Sequence, residues 1–365
     1  MGATTETLPD PFGRAIVEQG RFRGDSATGR WWVMTLDAHW HVIVPEMTRE
    51  AGGTEGWRPS VRWEDGSQLV ELRGRTIPSA VREFVRADRI LQEAETLRMD
   101  HILICPWVNL IPNTLPIDEA LEVCTLQNEG LSAMAAARPN RVSALGVLTL
   151  QEPVLAARNL PKLMSLPGMK GVEITAGVGG AYLGDERFLP FWESAEATGA
   201  LVFIHPTTRG FDLPVFNDYY LWNTVGNPME TTVTAAHMVM AGVMERFPKL
   251  KVLLAHGGGG LLALRGRLRH SATFQPQAKA RLTGSIDDSF KRFHFDTVTH
   301  DPELLRGLVE YVGADRVLLG SDYPFDMGNY RAVEEVRGIG LGRAETEAIL
   351  GGNAARLIGL EGAQS

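Results

Sequence analysis

The chain has 365 residues, 44% of them hydrophobic and 22% charged, with a formal net charge of −8. These are ordinary globular values, and Lys and Arg are scattered, which excludes the basic stripe of a nucleic-acid binder. No apolar run approaches the ~20 residues a bilayer crossing needs, and residues 1–25 lack the basic-then-apolar pattern of a secretory signal, so a cytoplasmic protein is expected. Cys105 and Cys124 read as inert reduced thiols, with one disulfide as the other possibility.

In chain order, short apolar runs alternate with stretches of helical periodicity. Strands are predicted over 32–37, 101–106, 142–148, 171–175, 201–205, 251–256, 293–297 and 317–322. Most are near-continuously apolar, as parallel strands covered on both faces should be. Helices are predicted over 87–98, 117–138, 152–165, 186–198, 229–247, 261–271, 302–312 and 343–357. This alternation indicates βαβ units. Eight of them point to an α/β fold closed into a (β/α)8 TIM barrel, one domain over 32–365 behind an N-terminal arm over 1–31.

Two stretches break the pattern. About 46–86 is too long for a plain βα loop; there 60–63 and 68–72 flank Glu64-Asp65-Gly66, a hairpin turn signal. A small β-hairpin insertion after the first strand is expected, above the C-terminal mouth. The segment 206–228 is rich in turn formers and carries Tyr219, Tyr220 and Trp222, which reads as a lid over an active site.

The histidines carry the chemistry. There are nine, yet His39, His205 and His256 follow or end separate predicted strands, His41 comes just after His39, and Asp322 ends the eighth strand. In a parallel barrel those ends converge on one mouth, where barrel enzymes build their sites. His39 and His41, two apart in extended backbone, leave on one face, and rings about 3 Å apart can share an ion at ~2.0–2.1 Å. A polar pair on a surface strand fits poorly with the apolar Trp32, Val33, Met34 and Leu36 before it.

Taken alone, His205 reads as a core histidine bonded to a carbonyl. Asp322, after so apolar a run, needs a cation or donors; the alternative of a helix cap is opposed by Tyr323-Pro324. Three imidazoles and a carboxylate suit one divalent transition metal, zinc above all with manganese as the alternative. Water bound there becomes a nucleophile near neutral pH. His256, a fifth ligand or a general acid/base, leads into Gly257-Gly258-Gly259-Gly260, a flexible turn or a place where a small anion packs on bare backbone.

Six segments carry a resemblance: Asp37-Ala38-His39-Trp40-His41, Val202-Phe203-Ile204-His205-Pro206, Gly226-Asn227-Pro228-Met229-Glu230-Thr231, Gly242-Val243-Met244-Glu245-Arg246-Phe247-Pro248, His256-Gly257-Gly258-Gly259 with Gly266-Arg267, and Gly320-Ser321-Asp322-Tyr323-Pro324-Phe325. Together they resemble the amidohydrolase superfamily, in particular its branch of metal-dependent, non-oxidative decarboxylases typified by 2-amino-3-carboxymuconate-6-semialdehyde decarboxylase. The resemblance runs from about Leu36 to Leu357.

It implies that His39, His41, His205 and Asp322 hold the metal, and that His256 activates metal-bound water and shuttles protons. It also implies that Arg267 reaches into a neighbouring subunit's site to hold a substrate carboxylate, and hence a homodimer. A second carboxylate-binding arginine should follow the insertion; Arg75 is the first candidate and Arg73 its rival. Trp222 from the lid and Phe325 after Asp322 complete the expected substrate contacts. Glu173 lies in the strand where many hydrolases of the superfamily carry a carboxylated lysine. No lysine occupies that strand end, so one metal is expected, with Glu173 supporting a ligand or forming a buried salt bridge. The implied reaction is decarboxylation of an unsaturated or aromatic carboxylic acid. The alternative is a hydrolase or hydratase acting on a lactone, amide or unsaturated acid, which the same fold can host.

Overall fold

The structure, a computed structural model, describes residues 34–207, 211 and 213–360, together with the backbone of Gly24–Asp25 and Arg30–Trp31. Trp32 and Val33 lie outside the described residues, as does the expected arm apart from the antiparallel pairing of those two short segments. Eight parallel strands make the barrel: β1 (Leu36–Val42), β2 (His101–Pro106), β3 (Val142–Val147), β4 (Met169–Thr175), β5 (Leu201–His205), β6 (Lys251–Leu254), β7 (His294–Asp296) and β8 (Val317–Leu318). They pair in sequence order from β1 to β8. The ring closes through Ala38 N–H to the Leu319 carbonyl (2.8 Å), His41 N–H to the Tyr323 carbonyl (2.8 Å) and Asp322 N–H to the His39 carbonyl (3.0 Å).

The helices are α1 (Ala87–Thr96), α2 (Ile117–Ala137), α3 (Pro153–Met164), α4 (Leu189–Thr198), α5 (Asn227–Met240), α6 (Leu261–Phe274) and α7 (Pro302–Val312). α7 shows how local chemistry sets a boundary. Asp301 accepts the Glu303 and Leu304 N–H groups at 2.8 and 3.0 Å, Pro302 occupies the first turn, and Leu305, Leu308, Val309 and Val312 form the buried stripe. The helix expected over 229–247 breaks after α5, where Gly242 takes a left-handed φ of 74°, and resumes as Val243–Arg246. The last expected helix, 343–357, is one run with a π turn, Ala348–Gly352, between Arg343–Glu347 and Asn353–Leu357.

Strand residues alternate between two apolar environments, as the two-residue period of a strand requires. Leu103, Leu201, Phe203 and Leu253 fill the barrel interior, while Ile102, Ile104, Val202, Ile204, Val252 and Leu254 face the helices. Ala354, Ala355 and Ile358 pack against the interior cluster from the end where the strands begin. The opposite end stays open for polar side chains.

The insertion is a three-stranded antiparallel sheet, Ser60–Glu64, Ser67–Leu72 and Arg75–Ala80, rather than a hairpin alone. Both of its turns put two residues at positive φ: Asp65 and Gly66 at 48° and 83°, Arg73 and Gly74 at 50° and 72°. Its third strand docks on the segment after β8, through Val81 N–H to the Pro324 carbonyl (3.0 Å) and Asp326 N–H to the Ser79 carbonyl (2.8 Å). Sheet and barrel mouth are thereby joined.

Two buried histidines open strands at the closed end, His101 on β2 and His294 on β7. Burial, with Arg141 and Lys170 near His101 and Arg316 near His294, pushes each imidazole down to about 4. An unfolded chain binds a proton on each near pH 6.5, so between that pH and about 4 the unfolded state holds more protons. Stability therefore falls as pH falls through this window, by roughly 3 kcal/mol per histidine at full extent. Urea midpoints measured from pH 7 to 4.5 should drop, and the drop should shrink in the double variant His101→Gln/His294→Gln. An identical slope in the variant would contradict the assignment.

Candidate metal centre and active site

The strand expected to end at Asp37 instead runs Leu36–Val42, so His39 and His41 lie inside β1. Between Asp37 and Trp40 its register against β2 shifts by one residue, a bulge of the kind that re-aims side chains at barrel rims. His39 meets the interior Phe203 edge-on at 4.7 Å, and His41 sits 3.4 Å from the interior Cys105 sulfur. Trp40 between them points outward and stacks on Tyr323 at 3.8 Å. His205 ends β5, and Asp322 follows β8 with a positive φ of 58°.

Each of the three rings is anchored through Nδ1. His39 donates to Asp296 Oδ2 (2.7 Å), His41 to the Pro106 carbonyl (2.9 Å) and His205 to the Pro206 carbonyl (2.9 Å). Those oxygens only accept, so the protons sit on Nδ1 and the Nε2 lone pairs are left to face one another. His39 Nε2 and His41 Nε2 are 3.0 Å apart, and Asp322 Oδ1 lies 3.2 and 3.4 Å from them. One ligand atom from each of His39, His41, His205 and Asp322 falls within 4.8 Å of all the others. His205 Nε2 and Asp322 Oδ1 are buried without a hydrogen-bond partner.

Acceptors opposed in a dry place repel unless a cation lies among them. A divalent transition ion with nitrogen and oxygen bonds of ~2.0–2.1 Å suits the donor set. Without an ion, the same field draws in a proton. Burial opposes it, but Asp322 and Asp296 push His39 up to about 10. Burial likewise works against Asp322, yet the neighbouring His39, together with His256 and His41, holds it well below the usual carboxylate range. His205 is driven well down by burial and by the neighbouring His41, His256 and His39.

His256 stands outside the group of four. Its Nε2 is 3.5 Å from Asp322 Oδ2, and its side chain is 15% exposed. It begins a 3-10 turn, His256–Gly258, whose three residues and the following Gly259 all have positive φ. A Cβ on Gly257 would come within 2.7 Å of the Thr299 methyl, so this glycine answers to both conformation and space. The glycine run does pack against an anion, but one from within the chain. Asp296 accepts the His256 N–H (3.0 Å) and the Gly257 N–H (2.7 Å).

Sequence reasoning misses Asp296. The signal was present, since an aspartate ending the apolar run Phe293-His294-Phe295 needs partners as Asp322 does. Glu173 is fully buried beside His41, its Oε2 3.8 Å from Nδ1, with no hydrogen-bond partner on either oxygen. Burial lifts its carboxyl to about 7 against the pull of His41 and His39. Its close charged neighbour is the His41 ring, and among the described residues no Lys or Arg pairs with it. Cys105 and Cys124 are free and buried.

At the mouth, Arg75 and Ser79 of the insertion, Tyr220 and Trp222 of the expected lid, and Asp326 line a cavity of about 390 Å³. Phe325 packs against His41 with ring centres 5.5 Å apart. Arg73 is engaged with Thr114 Oγ1 at 3.2 Å. Arg267 is exposed on α6. Among the described residues no helix is long and apolar enough to cross a membrane.

A (β/α)8 barrel that gathers three imidazoles and an aspartate at the C-terminal ends of its strands defines the class: a barrel enzyme scaffold with a candidate metal site at its mouth. The amidohydrolase family profile matches residues 111–360, and the chain belongs to that family. It is 33% identical over 250 residues to a 2-amino-3-carboxymuconate-6-semialdehyde decarboxylase of Dictyostelium discoideum, covering 67% of this chain and 68% of that one. To a 6-methylsalicylic acid decarboxylase of Penicillium expansum it is 28% identical over 293 residues, covering 79% and 84%. Among solved structures, a dihydroxybenzoic acid decarboxylase of Polaromonas sp. JS666, with bound manganese and the inhibitor 2-nitroresorcinol, shares the fold with a TM-score of 0.73 at 23% identity, over 90% of this chain and 98% of that one.

Purified protein should carry close to one equivalent of divalent metal, and His205→Ala or Asp322→Asn should lower it several-fold with the far-UV spectrum kept. Plasma mass spectrometry reads this directly; undiminished metal in both variants would contradict the assignment.

Proposed function

We propose that the protein is a metal-dependent carboxy-lyase that removes carbon dioxide, without oxidation, from an unsaturated or aromatic carboxylic acid. The observation that carries this reading is the group His39, His41, His205 and Asp322 with His256 beside it, in a chain related to decarboxylases of such acids. The four residues would hold one divalent ion, zinc for its affinity for imidazole-rich sites, with manganese, which the Polaromonas enzyme holds, as the alternative. Once bound, the ion supplies Lewis acidity towards a neighbouring oxygen.

His256 handles the proton. Its Nε2 faces Asp322 Oδ2 at 3.5 Å, and in its protonated form the ring can deliver a proton to the carbon bearing the carboxylate. The bond from this carbon to the carboxylate then breaks. Its electron pair restores the double bond or ring, carbon dioxide leaves, and the delivered proton stays on carbon. His256, partly exposed at the rim, regains a proton from solvent.

Arg75 would hold a substrate carboxylate by paired hydrogen bonds and Trp222 would offer a flat apolar face, both from the cavity wall. Arg73, already engaged with Thr114, is the weaker candidate. Phe325 gives the reacting carbon an apolar neighbour beside His41. The barrel of 32–365 with its arm over 1–31 acts in the cytoplasm as a homodimer, in which Arg267, exposed on α6, serves the neighbouring subunit's site.

Carbon dioxide release from a panel of unsaturated and phenolic acids tests the proposal. Metal-loaded protein should release it, and Asp322→Ala should fall by about 10³ or more. Silence across the panel, with metal bound, would favour a hydrolase or hydratase instead. With an active acid in hand, Arg75→Ala should raise KM roughly 10–100-fold with a smaller change in kcat, as loss of a charged hydrogen bond used in binding predicts. An unchanged KM would remove Arg75 from the site.

A further inference from the structure

We infer that Asp296 is a positioning residue whose single carboxylate clamps the His39 ring and the backbone turn that carries His256. The inference rests on the metal-centre reading above, and not on any substrate.

Asp296 ends β7, is fully buried, and has four N–H donors. Its Oδ2 accepts His39 Nδ1–H at 2.7 Å and the His256 N–H at 3.0 Å; its Oδ1 accepts the Gly257 N–H at 2.7 Å and the Val298 N–H at 3.1 Å. Both oxygens are thus filled by donors, a demand that only an acceptor-only group meets. Consecutive amides at positive φ, His256 at 57° and Gly257 at 60°, form the concave nest in which backbone binds anions. A histidine in that conformation is strained, and a buried negative charge under its amide offsets the strain.

The same oxygen fixes the other arm. By accepting from Nδ1 it fixes the ring so that Nε2 is the atom turned toward the ligand cluster. Outer carboxylates commonly set ligand orientation and basicity in this way. The close approach depends on Gly320: a Cβ there would lie 3.0 Å from both the Asp296 Cβ and the His39 Cβ. One side chain thereby links the two parts of the site that must keep a fixed distance, the ligand cluster and the proton carrier.

The test is Asp296→Asn in the full-length protein. An amide replaces one acceptor by a donor, so whichever way it turns, two of the four N–H groups meet another N–H. Zn2+ affinity, read by competition with a chromophoric chelator, should weaken roughly 10–100-fold. The visible spectrum of the Co2+-loaded protein should shift, and amides of the 255–260 peptide should exchange faster by mass spectrometry. Lowered thermal stability with wild-type Zn2+ affinity and an unchanged Co2+ spectrum would reduce Asp296 to a structural role and overturn the inference. If Asp296→Asn does not fold, Gly320→Ala pushes His39 and Asp296 apart from outside. It should also weaken Zn2+ binding, and unchanged affinity there would overturn the inference too. None of these readouts needs a substrate, so a silent decarboxylation panel leaves them standing. Wild-type protein that binds no Zn2+ or Co2+ would sink the metal-centre reading and this inference with it.

Discussion

Two imidazole nitrogens held 3.0 Å apart, each on a ring whose other nitrogen is anchored to an acceptor behind it, are the constraint on which the rest of this structure depends. Adding the unpartnered Nε2 of His205 and Oδ1 of Asp322 gives a buried cluster of ligand atoms turned toward one another. Such an arrangement persists only if a cation offsets it and rigid elements prevent collapse. The barrel supplies the rigidity. His39 and His41 ride on a strand hydrogen-bonded on both sides, and the bulge between Asp37 and Trp40 turns them inward while Trp40 locks on Tyr323 outside.

Division of labour follows from position. The strand ends and the carboxylates of Asp296 and Glu173 lie buried within the barrel, beside the candidate ligands and the turn that carries His256. The cavity wall is made instead by the insertion and by the segment around Trp222, two elements that lie outside the ring of strands. Chemistry built into a packed scaffold and selectivity carried on attached loops is how one barrel serves many substrates. On the proposed function, the choice of acid would depend on the cavity wall of Arg75, Trp222 and Asp326 more than on the histidines.

The barrel was legible because its strands are apolar on both faces, a pattern few other architectures demand. β2 and β5 run over the predicted residues. β1 was displaced for a functional reason: the imidazoles of His39 and His41 interrupt the apolar pattern where the strand continues. The eighth strand shrank to Val317–Leu318 because the residues after it leave the ladder to β7 and close the ring on β1. The third insertion strand was hidden by Pro78 and by its exposed residues, although Arg73-Gly74 repeats the turn chemistry of Asp65-Gly66. Of the site, the four clustering residues were readable from their places at strand ends. Asp296 showed there only that it needs partners and not which, because these are a ring and three amides drawn together by closure of the barrel.

X-ray absorption at the metal edge of the Zn2+-loaded protein addresses the opposed lone pairs most directly. The account predicts one zinc with a shell of nitrogen and oxygen at ~2.0–2.1 Å, the outer features of imidazole rings, and no second metal. A sulfur neighbour at ~2.3 Å, which would bring Cys105 into the shell, or a metal–metal distance near 3.5 Å, roughly that of a two-metal site, would contradict it.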